Sequence, residues 1–409
     1  MSTTPNPTGT ATTVATTGTS PTTTSSITDA ILTAMLNMGG NVSDLIFSPG
    51  RPPQVELSGQ LVGVKIEGLP KLTADHTARI AADLIGKNKI AIEKLKAEGS
   101  CDISYSLPGK CRFRVNVFQQ RSTYAIVMRV IPTDIPDFDT YKLPPQLAKI
   151  AELKNGIVLV TGPTGSGKSS TLAAIINKVN QDKAIHIVTI EDPIEFLHPH
   201  RKATIHQREL YSDTPTFGLA LRAALRQAPK VILVGEMRDK ETIEIALEAA
   251  ETGHLVFSTL HTVDASRTIE RIIGVFPLSD QHAIRVRFSK AFRYIVSQRL
   301  LPKKGGGRTG VIEILVSTMR TREYVEKGES EGKSLLDAMR DGDLDGMQEF
   351  DQVIETFIRN GTLDYETGLA YSTNPGNLQL SLSDFMEDQA KANPVAKKAA
   401  GATEIEIER

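Results

Sequence analysis

The rhythm of apolar and polar positions changes several times along the chain. Residues 1–27 are dominated by threonine, serine, proline and glycine, with few apolar positions and no charge before Asp29. They lack the basic and apolar regions of a signal peptide, and a disordered tail is expected there. From Ser26 to Leu36 apolar residues recur near helical spacing, with Ser, Thr and Asp on hand as caps. Short runs at Asp44–Phe47, Gln54–Leu57 and Leu61–Ile66 predict strands, and Thr73–Leu84 and Ile90–Ala97 predict helices. Cys101–Ile131 alternates well enough for two or three further strands. Residues 28–131 therefore read as an α+β domain of ordinary size. The stretch 132–145, rich in proline and aspartate, predicts an extended, semi-rigid linker about which flanking domains swing.

From 146 to 318 the pattern becomes α/β. Near-continuous apolar runs at Gly156–Thr161, Ile185–Ile190, Val231–Val234, Leu255–Thr259 and Val311–Val316 alternate with helical segments. Those segments include 213–226 and an amphipathic stretch from Asp280 to Leu301. Such runs predict a mostly parallel sheet covered on both faces. Residues 319–388 are mostly helical and charged and read as a small helical domain; 389–409 read as a solvated tail.

Ligands of such sheets bind beyond the carboxyl ends of the strands, so chemistry is sought there. The first end is the most informative: Gly162-Pro163-Thr164-Gly165-Ser166-Gly167-Lys168-Ser169-Ser170 joins an apolar run to a helical one. A strand, a glycine-rich turn and a helix start are the context in which G-x-x-x-x-G-K-[ST] cradles phosphate. Gly162, Gly165 and Gly167 let successive N–H groups face one concavity, and the helix start favours an anion. Lys168 would reach the β- and γ-phosphates of ATP, and the Ser169 hydroxyl would hold Mg²⁺. An ordinary strand-to-helix turn leaves the lysine unexplained.

Three further ends carry carboxylates or histidines. One run ends in Glu191-Asp192-Pro193, another in Gly235-Glu236-Met237-Arg238-Asp239, a third in Leu260-His261-Thr262. Glu236 fits a group that orients attacking water; Glu191 and Asp192 fit the metal shell. A single acidic strand end is more often a cap, but several beside one phosphate loop point to a site. His261 suits a sensor of the γ-phosphate. His254 reads equally as a member of that site or as a structural hydrogen-bonder. Two histidines seven apart with no third ligand argue against a metal centre of their own.

The charge balance, 47 Lys and Arg against 48 Asp and Glu, gives no global case for nucleic acid as a partner. A basic, aromatic-interleaved strand is also missing. No apolar run approaches the length of a membrane span. The two cysteines, Cys101 and Cys111, flank the turn signal Leu107-Pro108-Gly109-Lys110. Centring the turn on Pro108-Gly109 sets Cys111 opposite Ser106 and Cys101 opposite Asn116, so reduced thiols of a cytosolic protein are expected. Arg112 and Arg114 share one strand face, with Arg129 further on. They are either a solvated outer face or a cationic patch for phosphate on a neighbouring subunit. Arg222 and Arg226, four apart on a predicted helix, share one face, for which surface charge is the plain reading.

Four ordered motifs resemble the secretion-ATPase superfamily of type IV pili and type II secretion. They are the Walker A loop at 162–169, an Asp box at Ile190–Phe196, an atypical Walker B at Val231–Glu236 and a His box at Thr252–Thr262. Arg112-Phe113-Arg114-Val115-Asn116-Val117, Gly235–Asp239 and Gly346–Asp351 are similar to the PilT/PilU retraction branch. The resemblance implies a PAS-like N-terminal domain, a RecA-like P-loop ATPase core and a helical C-terminal domain. It further implies a homohexamer with nucleotide bound between the first two domains. Glu236 would be the catalytic glutamate, Glu191 the Asp-box acid, and His254 and His261 the His-box residues. Arg114 and Arg129, with Arg112 beside them, would act on the phosphates.

The implied activity is ATP hydrolysis driving pilus retraction through an inner-membrane platform protein. The implied location is the cytoplasm, at the inner face of the membrane. Where the branch commonly reads A-I-R-N-L-I-R-E, this chain has Ser317–Lys327, which fits either an accessory PilU-like subunit coupled to a second PilT-type ATPase or a divergent PilT copy. The lysine of Ala228-Pro229-Lys230 stands where the family often has Asp-Pro-Asp. An extension or secretion ATPase is a further alternative, although two cysteines cannot build the zinc insert usual in those enzymes.

Overall fold

The computed structural model describes residues 27–39, 42–57, 59–131 and 134–392, with side chains to 387. The tails expected over 1–27 and 389–409 fall outside these residues, except that Ile27 opens the first helix and 389–392 close the last. By contact density the chain divides into two compact units. One is Met1–Gly86 with Gln119–Val127; the other is Lys87–Phe118 with Met128–Arg409.

The first unit holds α1 (Ile27–Leu36), β1 (Val42–Phe47), β2 (Gln54–Leu57), β3 (Gln60–Gly63) and α2 (Ala74–Ile85). Antiparallel pairing runs β3-β2-β1. Thr73 caps α2 by accepting from the His76 amide, while the His76 ring accepts in return from the Thr73 amide.

The second unit opens with α3 (Lys89–Glu98) and the antiparallel hairpin β4 (Ser100–Leu107) and β5 (Cys111–Gln120). Its register pairs Leu107 with Cys111 and Cys101 with Val117. That corrects the expected register by one residue, because the loop is three residues, Pro108–Lys110, rather than two. Both cysteines are free thiols. β6 (Thr123–Ile131) follows, with 123–127 belonging to the first unit and 128–131 to the second. Residues 138–142 form turns rather than an extended spacer, and Phe138 and Leu143 pack against the core described next.

That core is a seven-stranded sheet. In chain order its elements are β7 (Gly156–Thr161), α4 (Lys168–Asp182), β8 (His186–Glu191), β9 (Thr204–Glu209), α5 (Phe217–Ala224), β10 (Val231–Glu236) and α6 (Lys240–Glu251). They continue with β11 (Leu255–Leu260), α7 (Ala265–Gly274), α8 (Leu278–Ala291), β12 (Phe292–Pro302) and β13 (Arg308–Val316). The strand order is β13-β12-β7-β11-β10-β8-β9, parallel except for the β12–β13 pair.

The apolar runs split by parity. Ile157, Leu159, Val188, Ile190, Ile232 and Val234 face a layer with Leu221, Ile243, Ile269 and Phe288. Val158, Val160, Ile187, Val231 and Leu233 face the other layer, with Leu147, Leu172, Ile175 and Val179. Period-two alternation with both faces covered is why these strands read as continuously apolar.

Two elements differ from expectation. The stretch expected to stay helical to Leu301 ends at Ala291 and becomes the strand β12. Phe292 and Ile295 join one layer and Tyr294 and Val296 the other, an arrangement whose apolar spacing also satisfies a helical template. β9 escapes the apolar criterion because Thr204-Ile205-His206-Gln207-Arg208-Glu209 is an edge strand carrying polar side chains.

The C-terminal part is helical: α9 (Met319–Lys327), α10 (Leu335–Arg340), α11 (Phe350–Arg359), α12 (Tyr365–Tyr371), α13 (Pro375–Ser381) and α14 (Ser383–Ala392). Phe350, Ile354, Ile358 and Leu378 pack on Leu301 and Val311. Arg299 lies over the Phe350 ring at 3.8 Å and donates to the Tyr371 carbonyl at 2.7 Å. Among the described residues no helix is long and apolar enough to cross a membrane.

Candidate active site

At the carboxyl end of β7 the backbone must turn sharply under β12. Gly162 has φ 143°, and a Cβ there would lie 2.4 Å from the Gln298 carbonyl oxygen and 2.5 Å from Ser166 Oγ. Only glycine fits. Gly167, in the left-handed region at φ 94°, then caps α4, of which Lys168 is the first residue. The α4 amides and dipole therefore open on the loop.

Lys168 is 8% exposed and donates from Nζ to the carbonyls of Gly162 at 2.8 Å and Pro163 at 3.1 Å. Burial lowers its pKa, and the nearby carboxylates of Glu236 and Glu195 oppose that shift. Gln298 donates to Thr171 Oγ1 at 2.8 Å. Its Oε1 and the Ser166 hydroxyl are buried polar atoms with no hydrogen-bond partner. Buried polar atoms are rarely left unpaired; the Ser166 hydroxyl can donate to an anionic ligand at a loop of this shape, whereas Gln298 Oε1 only accepts and suits a donor instead.

The loop borders a cleft of about 1230 Å³, lined also by Arg114, Glu191, Asp192, Glu236 and His261. Thr164, Gly165, Ser166, Gly167, Lys168, Ser169 and Ser170 are in its wall. Gly162 and Pro163 contribute through the carbonyls that hold Lys168.

Glu236 reaches the cleft through an irregularity in β10. Val234 pairs with Ser258 but Glu236 pairs with Thr259, so Gly235 is an extra residue on its strand. A bulge of this kind re-aims the following side chain. Thr259 Oγ1 donates to the Gly235 carbonyl at 2.6 Å. A Cβ on Gly235 would meet Ile190 O at 3.3 Å and Glu191 Cα at 3.4 Å, tighter than a Cβ ordinarily packs. Glu236 Oε2 lies 2.6 Å from Arg238 Nη2 and 3.5 Å from His261 Nε2.

Glu191 Oε1 accepts from Thr189 Oγ1 at 2.6 Å and Gln207 Nε2 at 3.1 Å. Part of the residue reaches solvent, yet its carboxyl sits deep enough that desolvation raises its pKa to about 7, against those two bonds. Asp192 is also raised by burial, with Arg114 and Arg238 opposing. No group of three His, Cys, Asp or Glu among the described residues is arranged to hold a metal. Ser169, Glu191 and Asp192 are nonetheless hard oxygen donors on one cleft, the limited set that Mg²⁺ takes alongside phosphate and water.

The structure thus brings Lys168, Ser169, Glu191, Asp192, Glu236, His261 and Arg114 together. Three anticipated residues lie elsewhere. His254 precedes β11, at the opposite strand end from His261, with Nδ1 2.9 Å from the Ala249 carbonyl. That contact is of the kind its reading as a structural hydrogen-bonder expects. Arg112 pairs with Glu209 at 2.8 Å, where the carboxylate is 3% exposed. Arg129, on β6, does not line the cleft. Arg222 pairs with Glu241 at 2.9 Å on the surface.

Several lining residues were not anticipated. Lys303, Lys304 and Arg308 come from the β12–β13 turn, and Tyr141, Lys142 and Leu143 from the proline-rich stretch. Lys303-Lys304-Gly305-Gly306-Gly307-Arg308 is legible as a basic turn, but nothing local places it beside the phosphate loop.

The profile of the Type II/IV secretion system protein family matches residues 69–305. The chain is 39% identical over 336 residues to the type IV pilus retractation ATPase PilT of Pseudomonas aeruginosa, covering 82% of this chain and 95% of that protein. It is 36% identical over 363 residues to the type IV pilus ATPase PilU of the same organism, covering 88% and 93%. Among solved structures, the pilus retraction motor PilT with bound ADP superposes with a TM-score of 0.76 at 40% identity, covering 86% of this chain and 98% of that one. With its phosphate loop, carboxylates and His261 assembled on one cleft, the chain belongs to the type II/IV secretion ATPase family, on its PilT/PilU branch.

Proposed function

We propose that this chain is an ATPase motor that powers type IV pilus retraction. The observation that carries the reading is the convergence of Lys168, Glu236 and His261 on one cleft at the carboxyl ends of three adjacent parallel strands. In it, the amides of 164–170 and Lys168 bind the ATP phosphates, and Glu236 orients water for attack on the γ-phosphorus. The P–O bond to the β-phosphate breaks, giving ADP and phosphate. Ser169, with Glu191 and Asp192, would hold Mg²⁺, which would supply neutralisation of phosphate charge when bound. His261 stands against Glu236 and reports on the γ-phosphate.

The same reading assembles six copies into a ring, with Arg114 serving phosphates and Arg129, which lies off its own copy's cleft, serving those of a neighbouring copy. It divides each copy into 28–131, 146–318 and 319–388, joined through 132–145. The ring works in the cytoplasm against the inner-membrane platform protein of the pilus. The test is phosphate release by the purified wild type and its Glu236→Gln variant, beside a count of surface pili after gene deletion. Equal ATPase activity in the two proteins defeats the site assignment; loss of pili, rather than excess, defeats retraction.

A second reading, an accessory subunit coupled to another PilT-type ATPase, is supported by the 36% identity to PilU over 88% of this chain and by the departure at Ser317–Lys327. Full twitching in a strain carrying only Lys168→Ala favours it.

A further inference from the structure

Glu236 and Arg238 are two apart on an extended segment, so both face the cleft while Met237 between them is buried at 3% exposure. The backbone is pinned on either side. Glu236 pairs with Thr259, and Asp239 caps α6 by accepting from the Thr242 amide at 2.8 Å. Arg238 is thereby aimed into the cleft on a fixed base, yet its side chain is 72% exposed and, among the described residues, its one ion pair is the 2.6 Å contact with Glu236 Oε2.

That contact occupies an oxygen the proposed reaction needs. A carboxylate bonded to a guanidinium is a weaker acceptor for a water proton, because its negative charge is already neutralised. The pair is cheap to open, since an ion pair with one solvated partner contributes little. A guanidinium that grips carboxylate grips a phosphoryl group with the same fork geometry, and a terminal phosphoryl carries more charge. Asp192, also on the cleft, lies within electrostatic reach of both Arg238 and Arg114. A released Arg238 therefore stays among acidic neighbours on the side where phosphate enters.

We infer that Arg238 is a γ-phosphoryl contact that gates Glu236. In this arrangement the guanidinium holds the glutamate. When a triphosphate binds, the γ-phosphoryl draws Arg238 away and frees Oε2 to orient water. ADP lacks that group and leaves the pair closed. This rests on the ATPase reading and adds discrimination between triphosphate and diphosphate through a single exposed side chain.

The test measures binding of a non-hydrolysable ATP analogue and of ADP, each with Mg²⁺, to the full-length wild type, Arg238→Gln and Arg238→Lys. Losing a charge-assisted contact to the γ-phosphoryl predicts a fall in analogue affinity of roughly tenfold or more in Arg238→Gln, with ADP affinity within about twofold. Arg238→Lys, which keeps the charge without the fork, recovers part of that loss. An unchanged analogue-to-ADP ratio in Arg238→Gln overturns the inference, as does an equal loss for both nucleotides, which marks a merely structural side chain. If the wild type binds neither nucleotide, the ATPase reading itself fails, a result distinct from either. Thermal melting of the variants confirms that folding is intact, as expected for a side chain so exposed.

Discussion

Glu236 Oε2 and His261 Nε2 lie 3.5 Å apart across two adjacent parallel strands, the first reached through the Gly235 bulge and the second just past β11. The carboxylate is 18% exposed and the imidazole 44%, so both reach the cleft. Glu236→Gln keeps the shape but removes the proton acceptor. Its kcat is expected to fall on the order of 10²-fold or more, with nucleotide affinity little changed. His261→Ala, which removes a neighbour rather than the acceptor, costs less. Steady-state phosphate release with a parallel binding titration checks the ordering; a larger loss in His261→Ala contradicts it.

Lys168 is buried and held by two loop carbonyls, so its ammonium group is already positioned where phosphates dock. Lys168→Ala is expected to weaken ATP binding by at least about tenfold, while thermal stability shifts little. A fluorescent ATP analogue titrated against both proteins reads this directly.

Gly162→Ala should fail differently. Its Cβ would stand 2.4 Å from the Gln298 carbonyl oxygen at a backbone φ of 143°. Either β12 shifts or the loop reshapes, at a cost of roughly 1–3 kcal/mol. Both the melting temperature and nucleotide affinity are expected to drop together. A variant with native affinity and native melting would show that the close approach is absent.

Arg112 was grouped by strand parity with Arg114, but it neutralises Glu209, whose Oε2 also accepts the Ile194 amide at 3.1 Å. Arg112→Ala strands a buried carboxylate and is expected to lower stability by roughly 3 kcal/mol. Arg114→Ala, on an exposed side chain, leaves stability nearly unchanged. Urea denaturation of the two variants separates the roles.

Glu313, on β13, is 3% exposed and accepts the Ala265 amide at 2.9 Å, fixing the start of α7 just beyond the His261 loop. Burial raises its pKa from an ordinary 4.5 to about 7, with Asp264 adding and Arg299 opposing. Below about pH 4.5 the carboxyl is protonated folded or unfolded and costs nothing. Between about 4.5 and 7 the unfolded chain ionises first, so stability declines with rising pH, and the loss is complete above about 7. Glu313→Gln keeps an acceptor for Ala265 without the charge. It is expected to be more stable than wild type at pH 8, by on the order of 1–3 kcal/mol, and equal to it near pH 4. Melting curves across that range test the sign.

The phosphate loop, the apolar strands and their carboxyl-end acids were legible because each depends on a local pattern. A glycine-rich turn needs its own backbone angles, and a strand covered on both faces needs apolar residues at every position. What local pattern could not reach was set by neighbours distant in the chain. β9 is a strand only because it finds the open edge of β8, and β12 departs from helix only because β7 and β13 pair with it on either side. Two His-box histidines seven residues apart sit at opposite strand ends, since a six-residue strand separates them. Two arginines on one strand face part company because Glu209 meets only the first. Gln298 and the Lys303–Arg308 turn join the site because β12 lies beside β7. Periodicity says which face of its own element a residue occupies. What stands opposite that face is a property of the packed sheet alone.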